Sequence, residues 1–478
     1  MISFITQRFP FFIVGYFVLQ IIIRLLTTNI AVLDESEQIM LSQYFSLGYN
    51  EQPPLYTWIQ MGLFRLTGIS IFGLSLLKNT LLCLTYLFIY QLGLLLLEDK
   101  LKAALSAVSL FLLPQMVWDA QIDQTHTVFL TTATAITVYL FFHIVKKDVS
   151  WIYFFFFGLS SGIGLLAKYN FILVLIALGG VALYIPTYRK AFYKKALFLS
   201  IFVAFCMVLP HFLWFVSHLD VATNRTIERM SAGHTTSAFV NFAKGSGDLL
   251  LSIIAFLSPF WLFFVLFFRK EFAWKFNTQT KALIAYGVVI FALLFAMVAL
   301  SGTTHIKERW LQPYLVIVPL FLFSQVVNID IKLSRRFIIL SLIAPIIVAS
   351  VVLVRPWLID VRGKPTRASY PFEQVTYAMK DKLSHIERNL IYAEDKYIGG
   401  NLKLFFPEAT VITPSLPNQP YELSKNIILF WETEKPSAFI EILTTSGYIC
   451  EEYHQSIAFQ KSKKLFYEAM MMLCKKEE

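Results

Sequence analysis

Residues 9–37 read FPFFIVGYFVLQIIIRLLTTNIAVLDESE, in which a long apolar run is followed closely by three carboxylates. About 20 mostly apolar residues are enough for a helix to cross the hydrocarbon core of a bilayer. The run contains Arg24 and has no small-residue cleavage site behind it, unlike a cleaved signal peptide. Residues 9–28 are therefore predicted to span a membrane, with Asp34, Glu35 and Glu37 at one of its faces.

The composition extends this prediction to most of the chain. The 478 residues are 57% hydrophobic and 15% charged, and they include 46 Phe and 22 Tyr. The mean hydropathy is +0.62. Ordinary soluble proteins are about 45–50% apolar and about 25% charged, so the composition excludes a soluble or disordered protein. It indicates an α-helical polytopic membrane protein.

Apolar runs predict about eleven transmembrane helices, of which the third and the fifth are short. They lie near residues 9–28, 71–96, 103–117, 127–145, 152–167, 170–186, 196–217, 249–268, 282–300, 311–328 and 337–354. With the N-terminus inside, sixteen Lys and Arg before residue 355 fall in inner segments and seven in outer ones. Short inner loops are rich in Lys and Arg, so this orientation is predicted, with the C-terminal segment outside.

Acidic residues follow the opposite distribution. Ten of the fifteen Asp and Glu before residue 355 lie at or beyond the outer ends of spans. Carboxylates beside a membrane are costly unless they are solvated, paired or used, so the outer face is predicted to be the working face. The net charge of +10 belongs entirely to residues 1–354. No basic patch on a soluble segment suggests a nucleic-acid partner.

Two domains are predicted, a transmembrane domain at 1–354 and a soluble α/β domain at 355–478. The transmembrane domain has a long first outer loop at 29–70, in which 36–47 and 54–66 show the apolar spacing of interfacial helices. The C-terminal domain shows β-like runs and helix-like stretches. The β-like runs are 389–394, 409–414, 426–432 and 448–459, and the helix-like stretches are 372–388 and 435–446. Whether Cys450 and Cys474 pair depends on an oxidising compartment and is left open.

The acids after the first span are the first candidates for chemistry. Three carboxylates crowded at a membrane boundary repel one another, and this raises the proton affinity of one of them, as proton transfer requires. Alternatively the segment is an ordinary helix start, with Asp34 as N-cap and the other acids in the first turn.

Two further polar segments belong to the same outer face. Glu51-Gln52-Pro53-Pro54-Leu55-Tyr56 holds a carboxylate beside a stiff turn, although a simple connector explains it slightly better. Asp119, Asp123 and His126 fall within eight residues and suit a cation or the hydroxyls of a sugar, with a capped helix start as the alternative. No cofactor is assigned, and a divalent cation stays an open alternative. His211, His218 and His234 are better explained as structural residues than as zinc ligands.

Cations at the outer face are the natural partners of a lipid-linked phosphate. Lys168 follows the fifth span, and His305, Lys307 and Arg309 precede the tenth. Snorkelling to lipid headgroups is the alternative, which suits Lys168 alone better than it suits the cluster at 305–309.

Together these segments resemble the GT-C glycosyltransferases that use polyprenyl-phosphate sugars, namely the protein O-mannosyltransferase and ArnT (lipid A aminoarabinose transferase) superfamily, and its bacterial branch above all. The resemblance covers roughly residues 1–320. Its motifs are the acidic pair after span one, E-x-P-P-L-x-x-W at 51–58, the Asp of the second outer loop, G-L-x-x-K at 164–168 and K-E-R-W-L-x-P at 307–313. The implied fold is GT-C-like, in a bacterial inner membrane, with a periplasmic C-terminal domain.

The resemblance also implies a reaction and its residues. A sugar would pass, with inversion, from undecaprenyl phosphate or a similar lipid to an envelope acceptor such as lipid A or the lipopolysaccharide core. Asp34 matches the catalytic base, and Glu35 directly follows it as a further catalytic candidate. Glu51 and Asp123 match the acidic loop positions of the family. Lys168, Lys307, Arg309 and His305 are the candidates for the donor phosphate, and Asp119, His126, Gln52 and Tyr56 for substrate binding.

One departure from the family pattern bears on the donor. ArnT-type enzymes commonly carry Glu-Lys-Pro where this chain has Glu51-Gln52-Pro53, and that Lys contacts the lipid phosphate. Either Lys168 or the cations at 305–309 substitute, or the donor differs. Two other functions remain as alternatives: a lipid-linked-sugar flippase or secondary transporter, and a scaffold of envelope assembly.

Overall fold

The structure is a computed structural model that describes residues 2–147, 150–231, 237–382, 390–416 and 419–477. The chain folds into two compact units. The first, the helical unit, comprises Met1–Leu19, Leu47–Tyr56 and Lys78–Val348. The second, the mixed unit, comprises Gln20–Ser46, Thr57–Leu77 and Ala349–Glu478. The predicted boundary at residue 354 stays a prediction, and the mixed unit joins parts of the first outer loop to the C-terminal segment.

The described residues form helices along most of the chain and strands near its end. In chain order the helices are α1 (Ile2–Thr27), α2 (Leu33–Leu41), α3 (Leu55–Thr67), α4 (Ile71–Leu97), α5 (Lys100–Val108), α6 (Ala120–Asp123), α7 (His126–Lys147), α8 (Trp151–Ala167), α9 (Ile172–Tyr184), α10 (Pro186–Phe192), α11 (Leu197–Ser217), α12 (Leu219–Ser231), α13 (Ala238–Leu257), α14 (Phe260–Phe268), α15 (Thr278–Ser301), α16 (Gln312–Leu315), α17 (Val318–Ser324), α18 (Ile331–Val354), α19 (Ile359–Arg362), α20 (Phe372–Lys382), α21 (Lys396–Phe405) and α22 (Ser437–Thr445). The strands are β1 (Leu390–Ala393), β2 (Thr410–Ile412), β3 (Asn426–Trp431), β4 (Tyr448–Ala458) and β5 (Phe466–Lys476).

Seven helices within the described residues are long and apolar enough to cross a membrane. They are Thr6–Thr27, Ile71–Leu97, His126–Lys147, Leu197–Ser217, Ala238–Leu257, Thr278–Ser301 and Ile331–Arg362. Each overlaps one of the spans predicted from the sequence. The prediction of an α-helical polytopic membrane protein is therefore confirmed.

The four other predicted spans are bent or short helices. Lys100–Leu112 and Gln115–Asp123 meet at 75°, and Tyr169–Tyr184 and Pro186–Phe192 meet at 116°. Both bends fall before a proline, which disfavours helical backbone in the residue ahead of it. Trp151–Ala167 and Gln312–Ser324 are shorter apolar helices. With each bent pair taken as one span, the described residues hold up to nine spans, and the number eleven stays a prediction.

The predicted span at 249–268 needs a correction. Helix α13 begins at Ala238 and ends at Leu257, and α14 begins at Phe260. Ser258 has extended backbone angles, as expected of a residue before Pro259. The apolar run is therefore shared by two helices, which the composition of the run alone does not reveal.

Helix α7 has 78% of its spanning window buried, more than any other candidate span in the described part of the chain. Two of its hydroxyls bond to neighbouring helices: Thr132 Oγ1 donates to Leu81 O at 2.8 Å, and Thr137 Oγ1 donates to Ser160 Oγ at 3.0 Å. In a bilayer no water replaces such bonds. Helix α7 is therefore an interior helix, packed against α8, α9 and α16.

A five-stranded sheet of order β2-β1-β3-β5-β4 organises the C-terminal part of the mixed unit. Strand β1 runs parallel to β2 and β3, while β5 pairs antiparallel with β3 and β4. The predicted small α/β domain and its four strands are confirmed, and α20 and α22 lie in the predicted helical stretches, of which 383–388 are outside the described residues. The sequence interpretation missed β5 and α21.

The first outer loop contributes two helices, as predicted. Helix α2 overlaps the predicted helix at 36–47 but begins and ends earlier, and α3 lies one residue beyond the predicted 54–66. Ile39 of α2 and Phe64 of α3 are buried together with Ala31, Ile71 and Leu74. The apolar faces of both helices are thus packed within the mixed unit.

Candidate active site

The three acids after the first span have different surroundings in the mixed unit. Glu35 is 2% exposed, and its Oε2 lies 2.8 Å from Arg24 Nη2. The same oxygen accepts a hydrogen bond from Val32 N at 3.2 Å. Arg24 also donates to Thr28 O and Ile30 O, both at 2.8 Å. Arg24 and Glu35 together therefore hold the turn that leads from α1 into α2.

Glu37 is engaged as well, by Lys396 Nζ at 2.5 Å from its Oε2. Asp34 lies in the first turn of α2 and is partly exposed. The helix begins at Leu33 after Val32, so the alternative that made Asp34 the N-cap is wrong, while acids in the first turn suit the helix dipole. A carboxylate whose oxygen is taken by a cation is less available to accept a proton. Glu35 and Glu37 are therefore less available as bases, and the assignment of Asp34 as the base stays a prediction.

The helical unit contains a cavity of about 210 Å³, whose mostly apolar lining includes several polar side chains. Its lining combines the loop before α3, the turn between α8 and α9, and the segment before α16. The lining residues are Glu51, Gln52, Lys168, Tyr169, Asn170, Leu173, Met230, Leu294, Met297, Ile306, Trp310, Leu311 and Tyr314. The structure thus brings together Glu51, Gln52 and Lys168, which the sequence analysis had singled out in distant segments.

Polar atoms of this cavity are suited to bind a polar ligand. Gln52 Oε1 and Asn170 Oδ1 are buried and accept no hydrogen bond from any described residue. Glu51 is 4% exposed and lies near the Tyr169 hydroxyl, with which it interacts electrostatically. Lys168 Nζ donates to Thr127 Oγ1 at 3.2 Å. Buried acceptors without protein donors are costly, and the hydroxyl groups of a sugar would satisfy them.

The loop carrying Glu51 is anchored on α11. His211 Nδ1 lies 2.7 Å from Leu47 O, and its Nε2 lies 3.1 Å from the Tyr169 hydroxyl. A Cβ on Gly48 would come within 2.0 Å of Cε3 of Trp214, so the backbone needs glycine there to approach the indole ring. His211 is thus hydrogen-bonded through both ring nitrogens, and His218 Nδ1 lies 2.9 Å from Trp214 O. The structural role of both stays a prediction, and His234 lies outside the described residues.

A second polar cluster in the helical unit joins the other predicted residues. Asp119 interacts electrostatically with Arg309, Glu308 and Asp123. Asp119 ends a π-helical turn behind Pro114, and Arg309 lies in the short helix Glu308–Trp310. The structure therefore places the predicted Asp119, Asp123 and Arg309 near one another, although they come from two separate outer segments.

The remaining predicted residues have less direct positions. Tyr56 is buried, with its ring 5.4 Å from that of His126, whose Nδ1 lies 3.3 Å from Ala167 O. Lys307 is exposed. His305 is 71% exposed and lies 3.4 Å from Asp248 Oδ2. Of the predicted phosphate ligands, Lys168 lines the cavity in the described residues, whereas His305, Lys307 and Arg309 do not. Their roles stay predictions.

The sequence analysis missed four polar or aromatic residues of the cavity. Tyr169 and Asn170 directly follow Lys168, so the sequence placed them beside a candidate without marking them. Trp310 and Tyr314 belong to the segment K-E-R-W-L-x-P and its continuation. Aromatic faces and amides are common in sugar sites, and a search for them next to predicted cations is the signal that was available.

Two other features bear on possible ligands. Within the described residues, no three His, Cys, Asp or Glu side chains come together in a way that could hold a metal ion. A larger apolar cavity of about 530 Å³ lies among α8, α9 and α11 of the helical unit, lined by residues such as Phe157, Leu178, Ala204 and Phe212. Its apolar lining suits a hydrocarbon chain.

Comparisons with known proteins agree with the resemblance noted in the sequence. Residues 51–214 match the family described as dolichyl-phosphate-mannose-protein mannosyltransferase. The lipopolysaccharide core galacturonosyltransferase RgtA of Rhizobium johnstonii is 32% identical over 457 residues, which cover 92% of this chain and 91% of the relative. RgtB of the same organism is 31% identical over 425 residues, covering 87% and 85%.

Among solved structures, ArnT of Cupriavidus metallidurans bound to undecaprenyl phosphate has a similar fold. The TM-score is 0.61, with 12% sequence identity and 98% of each chain covered. At this identity the likeness concerns the fold alone. It confirms the predicted GT-C-like fold of the ArnT type.

Proposed function

Because this chain belongs to the family of the lipopolysaccharide core galacturonosyltransferases RgtA and RgtB, within the GT-C glycosyltransferase superfamily, we propose that it transfers a uronic acid residue to the lipopolysaccharide core. The proposed donor is the sugar linked to a polyprenyl phosphate, and the proposed place is the periplasmic face of the inner membrane. Identity of 32% over 92% of the chain carries the proposal.

The polar side chains of the cavity that contains Lys168 support a lipid-linked sugar as donor. Lys168 supplies a cation for the phosphate, and Gln52 Oε1 and Asn170 Oδ1 supply acceptors for sugar hydroxyls. Gln52 stands where ArnT-type enzymes commonly carry a lysine that contacts the lipid phosphate, so Lys168 is the proposed phosphate cation of this cavity. This departure from the ArnT pattern supports a donor other than aminoarabinose.

Two carboxylates carry the proposed chemistry in different ways. The acceptor hydroxyl oxygen attacks the anomeric carbon of the donor as its proton passes to the Asp34 carboxylate. The bond from that carbon to the phosphate oxygen breaks, and the lipid phosphate leaves with the bonding electron pair. Attack opposite the leaving group inverts the anomeric configuration. Glu51 is proposed to orient the sugar, while the positive charge of Lys168 stabilises the phosphate as its charge develops.

The orientation that places this chemistry outside the cytoplasm has independent support. Cys450 and Cys474, directly opposite each other on β4 and β5, form a disulfide with an S–S distance of 2.01 Å. Disulfides persist in oxidising compartments such as the periplasm and are rare in the cytosol. The excess of Lys and Arg in the inner segments supports the same orientation.

The proposal is tested by the lipopolysaccharide of cells and by transfer in membrane vesicles. Strains without the gene, with the intact gene and with Asp34→Asn are compared by mass spectrometry of the core, and vesicles are supplied with polyprenyl-phosphate galacturonic acid. Loss of a general base lowers kcat by about 10²–10⁴-fold. Asp220→Asn, which alters an exposed acid of α12, is the control and keeps full activity.

Three outcomes would contradict parts of this proposal. If the core is unchanged in the deletion strain while the gene is expressed in the parent, the transferase function fails and the flippase or scaffold alternatives gain. If the deletion changes only the distribution of the lipid-linked donor between the two leaflets of the membrane, the protein is a flippase. If Asp34→Asn keeps its activity while the deletion strain loses the sugar, another acid is the base.

A further inference from the structure

Helix α21 of the C-terminal segment holds the backbone on both sides of Asp34. Asn401 is 0% exposed, and its Oδ1 accepts a hydrogen bond from Ala31 N at 2.9 Å. Its Nδ2 lies 3.0 Å from Ala31 O, 3.2 Å from Ser36 Oγ and 2.9 Å from Tyr397 O. One buried amide thus bonds the residue three positions before Asp34 and the residue two positions after it.

Two glycines allow α21 to approach α2 this closely. A Cβ on Gly400 would lie 2.4 Å from Ser36 O, a backbone atom that cannot move away without shifting α2. A Cβ on Gly399 would meet Met40 Sδ at 3.0 Å, and a Met side chain adapts readily. Adjacent glycines lower helix propensity, so their presence in α21 is explained by this contact.

Two flanking contacts continue the same interface. Lys396, at the start of α21, forms the ion pair with Glu37. Gln43, just after α2, exchanges two hydrogen bonds with Val411 of β2, at 2.8 Å and 2.9 Å. Helix α2 is therefore bound to the C-terminal segment from its first turn to the residues beyond its last.

We propose that Asn401 is a positioning residue for Asp34, so that the C-terminal α/β segment is a working part of the transferase. This inference depends on the proposed function and on Asp34 as its base. Rate enhancement by a general base requires that its oxygen be held in the reactive geometry, and a displacement of about 1 Å can cost about 100-fold in rate. Asn401 supplies that restraint at Ala31 and Ser36.

The test compares two buried polar residues of the same helix in the full-length protein in membranes. Asn401→Leu keeps the size of the side chain but removes all four hydrogen bonds. Lys403→Met is the matched control, because Lys403 donates to Pro407 O and Ala409 O at 2.7 Å each, both within the C-terminal segment. Both changes destabilise that segment. Of the two residues, only Asn401 forms hydrogen bonds with residues 31–36, which include Asp34, in the described structure.

We expect Asn401→Leu to lower kcat per folded enzyme by about 10- to 100-fold, with the donor KM within about twofold of the parent. Lys403→Met keeps its kcat per folded enzyme. Gly400→Ala, which acts on the same contact without removing a hydrogen bond, lowers kcat as Asn401→Leu does, and Gly399→Ala keeps kcat within about twofold because Met40 adapts. The Gly400 and Gly399 pair decides the question if Asn401→Leu fails to accumulate.

Equal kcat values per folded enzyme for Asn401→Leu and Lys403→Met, or for Gly400→Ala and Gly399→Ala, would overturn the inference and leave Asn401 a merely structural residue. Failure of the proposed function is a different result, since the parent protein itself would then transfer no uronic acid while folded.

Discussion

The pair of Arg24 and Glu35 offers the sharpest test of how the acids after the first span divide their roles. Its two atoms are 2.8 Å apart, and the side chains are 13% and 2% exposed. Arg24→Met removes this pair and the hydrogen bonds to Thr28 O and Ile30 O, and it leaves the Glu35 carboxylate buried without its cation. Glu35→Gln removes the charge but keeps an acceptor for Arg24 and Val32 N.

These contacts set the expected free energies of unfolding. Breaking a buried ion pair from one side costs about 3–5 kcal/mol, which applies to Arg24→Met. Glu35→Gln weakens one charged hydrogen bond, which costs about 1–3 kcal/mol. In the double variant no buried charge is left alone, so its cost is smaller than the sum by about 1–3 kcal/mol.

The assay is reversible unfolding of the full-length protein in mixed micelles, combined with transfer in vesicles. The pair of Lys146 and Glu98 is the control, since its atoms are 2.6 Å apart but Glu98 is 73% exposed, and exposed pairs couple by about 0.2–1 kcal/mol. Glu35→Gln is expected to lose stability and keep measurable transfer, whereas Asp34→Asn is expected to lose transfer.

If the coupling free energy between Arg24→Met and Glu35→Gln is no larger than that of the Lys146–Glu98 control pair, the structural role of this ion pair is refuted. A Glu35→Gln protein that is fully stable but inactive would refute the assignment of the base, because Glu35 would then act in the chemistry itself.

Two further predictions follow from single contacts. Lys168→Met is expected to lower kcat with the lipid-linked donor by about 10²–10³-fold, and adding Gln52→Lys is expected to restore part of this activity. Lys244→Met, at an exposed site of α13, is the control. An equal loss of kcat in both lysine variants would contradict a specific phosphate contact. Replacing Cys450 and Cys474 by Ser should lower the free energy of unfolding of the mixed unit by about 3 kcal/mol, given the 24-residue separation of the two. In untreated cells neither cysteine should react with an alkylating reagent until a reductant is added. Cysteines that react at once would contradict a periplasmic location.

Sequence patterns predicted the membrane class, the fold and most strands of the C-terminal domain, but they failed at particular elements. Strand β5 contains Glu, Ala, Met and Leu, which favour helix. Its pairing with β3 on one side and β4 on the other overrides that preference. Helix α21 was missed because Gly399 and Gly400 weaken the helical signal, and their reason for being there lies in α2, far away in the sequence.

The candidate site was predicted in its residues and only partly in its arrangement. Glu51, Gln52 and Lys168 were named from separate segments, and the structure places them in one cavity. Tyr169, Asn170 and Trp310 were missed, since the prediction rested on charged residues and these three are uncharged neighbours of predicted cations.

By itself the sequence determined that the chain crosses a membrane several times, and it predicted an outer working face, because hydropathy and charge are properties of neighbouring residues and act through transfer from water to lipid. Only the tertiary structure shows which cations pair with two of the acids after the first span. Glu35 is paired by a residue 11 positions away and Glu37 by one 359 positions away. Ion pairs of this kind depend on distances in space, which a run of residues does not encode locally.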